Sequence, residues 1–155
     1  MAQKLAYAEG DVFAVPLGGG GYAVGVVARM NGRGAVLGYF FEQRYELAPT
    51  LAGVGELDAV DNALIAIFGD LGLIRGKWPV LGRLPGWRRQ EWPMPAFGRH
   101  EQVTGRYFRV EYDDDDPSSR PSEVEIPRHE FDRLPEDGMA GFGFIEARLT
   151  RLSTL

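Results

Sequence analysis

Three apolar runs of strand length open the chain, residues 10–17, 22–29 and 35–42, and each is set off from the next by glycine or short polar residues. The breaks read Gly18-Gly19-Gly20-Gly21 and Asn31-Gly32-Arg33-Gly34, and none of the runs shows a helix-length period. Branched and aromatic side chains suit a pleated surface, while Gly clusters and an Asn-Gly pair reach the positive φ of tight turns. The pattern therefore predicts three successive antiparallel strands in a meander, the second turn a two-residue hairpin. In the middle run Tyr22, Val24, Val26 and Ala28 fall on one face and Ala23, Gly25, Val27 and Arg29 on the other. Both faces are nearly apolar, which predicts a strand covered on both sides. Gly25 and Gly38 stand mid-strand, positions that permit a sharp bend, a bulge or the close approach of another backbone.

Beyond this sheet the pattern weakens. Residues 43–61 carry Pro49, Gly53 and Gly55 and read as a connection around the rim. Residues 63–68 form a compact apolar run ending at Gly-Asp, favoured as a strand over a helix, and residues 69–76 read as a turn or a single helical turn. Residues 78–82 make another strand, with Pro79 placing it at an edge or at the strand's first position. Residues 84–98 combine prolines and glycines with Trp87, Trp92, Phe97 and the Arg88-Arg89 pair, and read as an irregular surface excursion whose aromatics argue against disorder. Strand character resumes over residues 102–112. After the polar loop 113–122, Glu123-Val124-Glu125-Ile126 alternates as a strand able to pair back as a hairpin. In the tail, Phe142, Ile145, Leu149 and Leu152 are spaced three or four apart, an amphipathic helix whose start lies near Glu136 and Asp137 and whose end carries Arg148 and Arg151, as its dipole favours.

At 155 residues the chain is one domain, residues 1–155, with room for a single sizeable core. The absence of Cys excludes disulfides and thiol catalysis. No run approaches a membrane span, and residues 1–9 hold no apolar core of signal-peptide length, so the expected location is cytoplasmic. The net charge of −5 is unevenly spread: residues 75–109 hold eight Lys+Arg against two Glu, a local +6 that leaves −11 for the remainder. Such asymmetry bears on partners rather than on fold.

Residues 10–42, with their Gly-Asp-Val-Phe-Ala-Val-Pro-Leu start, Tyr-Ala-Val-Gly strand and Leu-Gly-Tyr-Phe-Phe strand, resemble the opening of the immunity protein 26 family of bacterial polymorphic toxin systems. Gly69-Asp70-Leu71-Gly72-Leu73 followed by Gly76-Lys77-Trp78-Pro79-Val80-Leu81-Gly82 is similar too, as is the ending Leu134-Pro135-Glu136-Asp137-Gly138 with Gly141, Glu146 and Leu149. These positions are mainly turn glycines and core apolars. The Pro/Arg/Trp segment after Gly82 and the four-Asp run exceed that pattern. What the resemblance implies is a non-catalytic immunity protein that binds a cognate toxin domain and occludes its active site.

Candidate chemistry is sparse. Gly18 to Ala23 fits a dinucleotide spacing only by force, because a strand follows where the phosphate-binding helix must begin. Gly76-Lys77 fails as a phosphate loop at Trp78-Pro79. Asp113, Asp114, Asp115 and Asp116 lack the alternation of a calcium loop and read as a solvated hairpin tip, with a cation site or a mimic of nucleic-acid phosphates as rivals. His100 and His129 have carboxylate neighbours but no nucleophile elbow, so no catalytic, metal or cofactor residue is assigned. Trp78 and residues 39–41 belong to the core. Trp87, Arg88, Arg89 and Trp92, with the four aspartates, are the expected partner-binding residues, since Trp and Arg dominate interface hot spots. The alternative is a nucleic-acid-binding barrel using the basic residues 75–109. The expected fold is mainly β (α+β), a bent antiparallel sheet or small SH3-like barrel of about six to seven strands with a C-terminal amphipathic helix.

Overall fold

The computed structural model describes residues 5–153; the start of the segment read above for a signal peptide, residues 1–4, lies outside them. The meander forms as the pattern predicts. Strands β1 (Asp11–Pro16), β2 (Tyr22–Met30) and β3 (Ala35–Phe40) pair antiparallel in sequence order. Gly19, Gly20 and Gly21 hold φ of 82°, 101° and 85° in the first turn, a region where side-chain-bearing residues are strained. The second turn is longer than a two-residue hairpin. The Asn31 side-chain oxygen accepts from the amides of Arg33 at 2.7 Å and Ala35 at 3.1 Å, so an Asx-type closure spans four residues.

Strand β4 (Leu64–Gly69) joins β3, and β5 (Val80–Arg83) pairs with β1 at the opposite edge. Pro79 thus stands just outside an edge strand, where its carbonyl accepts from Ala14 N at 2.9 Å and its missing N–H costs nothing. Between them lies the single helical turn α2 (Leu71–Ile74), preceded in the chain by another, α1 (Leu51–Val54). Two features were not foreseen. Strand β6 (Phe97–His100) begins inside the segment read as an irregular excursion, and it forms a separate sheet with β7 (Tyr107–Glu111) and β8 (Ser122–Ile126) in the order β6-β7-β8. After the turn α3 (Arg128–Phe131), the two-residue strand β9 (Met139–Ala140) runs parallel to β4, which makes the six-stranded sheet β5-β1-β2-β3-β4-β9 mixed rather than purely antiparallel.

The bent-sheet expectation holds and the barrel does not: both sheets are open. The reason lies in how the large sheet buries its faces. One face packs Phe13, Val27, Phe40 and Phe68 with Trp78, Leu73 and, from helix α4 (Phe142–Leu152), Ile145 and Leu149. The other packs Val24, Val26, Leu37 and Tyr39 against Leu84, Trp92 and Phe97. With an apolar layer on each side, the sheet need not curl on itself to exclude water. Helix α4 caps one face, as expected of the tail. Its first turn contains no acidic residue, and Glu136 instead pairs with Arg148 at 3.5 Å, so the anticipated dipole contact is absent at the start and present only through Arg151 at the end.

Gly25 and Gly38 make room for rings rather than for backbone. A Cβ on Gly25 would lie 2.6 Å from Phe13, and one on Gly38 would lie 2.7 Å from Phe68. Over these gaps Phe13 stacks on Trp78 at 5.6 Å between ring centroids, and Phe40 meets Phe13 edge-on at 5.7 Å. The Trp78 indole N–H donates to Glu146 at 2.9 Å, so the buried ring keeps its polar edge satisfied by α4.

Candidate functional site

A register shift between Val27 and Arg29 starts the site. At this bulge Arg29 comes to stand opposite Leu37, on the face that holds Val24 and Val26, and not on the Val27 face that strict alternation assigns it. Its side chain is 4% exposed, and the guanidinium donates to the carbonyls of Ala28 at 2.6 Å and Trp92 at 3.0 Å. Its Nε donates to Asp114 at 3.0 Å. A buried cation needs such partners, because desolvation without them is expensive.

The second element is the segment after β5. Trp87 is half-buried over Gly10, whose added Cβ would stand 2.8 Å from the indole, and it lies 5.8 Å from Trp92 between ring centroids. Trp92 is only 2% exposed and packs edge-on against Tyr39 and Phe41. It is therefore support for the surface and not the exposed contact the sequence suggested. Burial of so large an apolar ring beneath the excursion is what holds residues 84–97 down. Above it, the one-turn 3-10 segment Arg89–Glu91 presents Arg88, whose side chain is 65% exposed and pairs with Glu91 at 3.8 Å.

Arg89 joins the two candidate stretches. It reaches Glu9 at 2.8 Å, Asp114 at 2.9 Å and Asp115 at 2.8 Å, and also donates to the Asp114 carbonyl at 2.9 Å. The aspartates are thus not a free acidic tip. Asp113 accepts from the Asp115 amide and shapes the loop, Asp114 bridges Arg29 and Arg89, and Asp116 accepts from Asn31 at 3.1 Å, Arg33 at 3.1 Å and Ser118. Carboxylates committed to so many separate partners do not converge, and among the described residues no group of three or more His, Asp or Glu is placed to hold a metal ion.

The charge states follow the contacts. Partial desolvation pushes the Asp114 carboxyl up, but hydrogen bonding and attraction to Arg29 and Arg89 outweigh it and hold the pKa below its usual value. Asp116 is lowered to about 2, first by the Ser118 side chain, then by the Ser118 backbone, Asn31 and Arg33. Burial pushes the Tyr39 phenol up to about 12, with Arg29 opposing, and its hydroxyl donates to the Pro93 carbonyl at 2.6 Å. Arg29, Arg33, Arg88 and Arg89 stand against Glu9, Glu91 and the four aspartates, so the face carries four positive and six negative groups, a net −2.

The basic stretch looks different in space than in sequence. Of its eight cations, Lys77, Arg88, Arg89, Arg99, Arg106 and Arg109 all have carboxylate partners within 4.0 Å. A nucleic-acid backbone would have to displace those carboxylates to use these six cations. His100 stacks on Tyr107 at 4.5 Å between ring centroids, and the chain's other histidine, His129, lies in α3. The Arg29 bulge is what the sequence reading missed. The only signal available was a charged residue closing an otherwise apolar strand.

Fold and face together define a small, mainly β protein whose distinctive feature is a rigid, ion-paired surface built on a doubly covered sheet. The family model for immunity protein 26 matches residues 8–109, and the chain belongs to that family. The matched residues include the meander, β5, the Trp87 to Trp92 segment and β6. The Leu134 to Gly138 ending and Glu146 lie beyond them, as do the four aspartates. Comparison with curated proteins and with solved structures returns no match. Among the described residues no helix is long and apolar enough to cross a membrane.

Proposed function

We propose that this chain is a non-catalytic cytoplasmic immunity protein that binds a cognate polymorphic-toxin domain and neutralises it by covering the toxin's active site. Membership of the immunity protein 26 family supports the class. The single observation that supports the location is the convergence of Arg89 with Asp114 and Asp115. Two stretches singled out separately in the sequence form one continuous face, fixed from below by Arg29 and Trp92. A preorganised face loses little side-chain freedom on docking, which is where binding energy is usually lost.

In this reading Trp87, Arg88, Arg89 and Asp115 make contact, Asp113, Asp114 and Asp116 hold the loop in shape, and Trp92 supports them. Arg88 gives the clean test, because its side chain is exposed and holds no other element in place. Replacing it with Ala weakens binding of the toxin domain encoded by the neighbouring gene by more than about 1 kcal/mol, read by calorimetric titration, with the thermal midpoint unchanged. Unchanged affinity removes the face from the interface.

A further inference from the structure

Residues 134–141 stitch the two sheets together. Gly98 of β6 exchanges hydrogen bonds with this segment, its N–H donating to the Pro135 carbonyl and its carbonyl accepting from Asp137 N, both at 2.8 Å. A few residues later Met139 and Ala140 pair with Ile67 and Phe68 of β4. Each sheet edge is used over a short length only. In the β6-β7 ladder, the bond from Glu101 N to the Arg106 carbonyl sets the alternation that turns the peptide groups of Gly98 and His100 to the outer edge. In the β3-β4 ladder, the bond from Asp70 N to the Gly34 carbonyl likewise turns those of Ile65 and Ile67 outward. Gly98 and Ile67 find partners in the stitching segment. Ile65 and His100 find none among the described residues.

Both line one open cleft of about 1070 Å³, bounded by β4, β6, residues 131–140 and α4. Of the large apolar side chains that the fold leaves exposed, Met139 at 57% and Phe144 at 52% line this cleft, and Val103 at 94% is the neighbour of the lining residue Gln102. The charged lining residues sum to zero, Arg99, Arg133 and Arg148 against Asp132, Glu136 and Asp137, but they are not evenly paired. The carboxylates Asp132, Glu136 and Asp137 each face an arginine, Arg128, Arg148 and Arg120 respectively, whereas among the described residues Arg133 and His100 have no carboxylate within 4.0 Å.

We propose that this cleft is a second docking site, one that receives an extended, acidic and apolar segment of the same partner protein by β-strand addition. Free peptide groups at a strand edge supply main-chain hydrogen bonds, Met139 and Phe144 supply apolar contact, and Arg133 supplies the match for a carboxylate. The inference rests on the immunity reading, since it takes the toxin domain as the source of the segment. It differs in placing part of the interface at the outer edge of β6 rather than at the four aspartates.

The test is amide-resolved hydrogen exchange of the full chain with and without the toxin domain encoded by the neighbouring gene, alongside affinities for Phe144→Asp and Arg133→Ala. Unpaired amides exchange fast, so docking slows Ile65 and His100 by at least tenfold, and Phe144→Asp loses about tenfold in affinity or more. Arg133→Ala, at an exposed position, separates loss of contact from loss of fold. A complex that leaves both amides fast and binds both variants like wild type overturns the cleft and leaves the proposed function standing. No complex at all overturns both.

Discussion

Replacing Asp114 with Asn tests how the candidate face is held. The change keeps shape and one acceptor oxygen but removes the charge that faces Arg29 and Arg89. Breaking a fully buried pair costs about 3–5 kcal/mol, and an exposed one about 0–1. This pair is mixed: the Arg29 side chain is 4% exposed and that of Asp114 is 59%. Solvent reaches the carboxylate and screens it, while two backbone carbonyls still receive the guanidinium, so the expected loss is about 1–2 kcal/mol. Urea unfolding reads it as a lower midpoint with an unchanged slope, because the surface exposed on unfolding is the same. The double variant Arg29→Met with Asp114→Asn recovers part of the loss, since no buried charge is then left alone. An Asp114→Asn midpoint within error of wild type refutes the claim that the loop is clamped to the sheet through Arg29.

Three further outcomes follow from the same geometry. Gly25→Ala overpacks the ring cluster, because the new Cβ lies 2.6 Å from a Phe13 side chain pinned against Trp78; it costs about 1–3 kcal/mol, measured by thermal and urea unfolding. Asp116 is depressed from 3.8 to about 2 in the folded chain, so its contribution is complete above 3.8 and is lost as pH falls through the window between those values. An acid titration followed by unfolding midpoints shows that loss in the wild type and a flatter response in Asp116→Asn. Tyr39, raised to about 12 from 10.0, favours the neutral phenol in the fold; stability falls as pH rises through that window, and because Tyr7, Tyr45 and Tyr112 are raised as well, the late-titrating tyrosinate absorbance persists in Tyr39→Phe but loses one phenol.

The meander was legible because each strand carries its own apolar pattern and each break its own turn residues. Residues 63–68 were legible for the same reason, and so was the tail helix from Phe142 to Leu152, whose three-or-four spacing no strand shares. What escaped was set by partners far away in the chain. Met139 and Ala140 become a strand only because β4 offers them an edge, and two residues carry no period of their own. Phe97 to His100 sits among prolines and reads as loop until β7 pairs with it. Trp92 looked exposed because its neighbours are polar, whereas its burial depends on Tyr39 and Phe41, more than fifty positions earlier. The candidate site was legible as two lists of residues and not as one object. Nothing in the spacing says that Arg89 reaches Asp114, or that a bulge turns Arg29 toward both.

Titrating the purified chain into its proposed cognate toxin domain, while following the toxin's own activity, tests the central claim most directly. If the protein works by covering the toxin's active site, activity falls linearly and ends at one equivalent, with a stable complex at that ratio. If a small fraction of an equivalent abolishes activity, or if a full excess leaves it untouched and no complex forms, occlusion by this chain is contradicted.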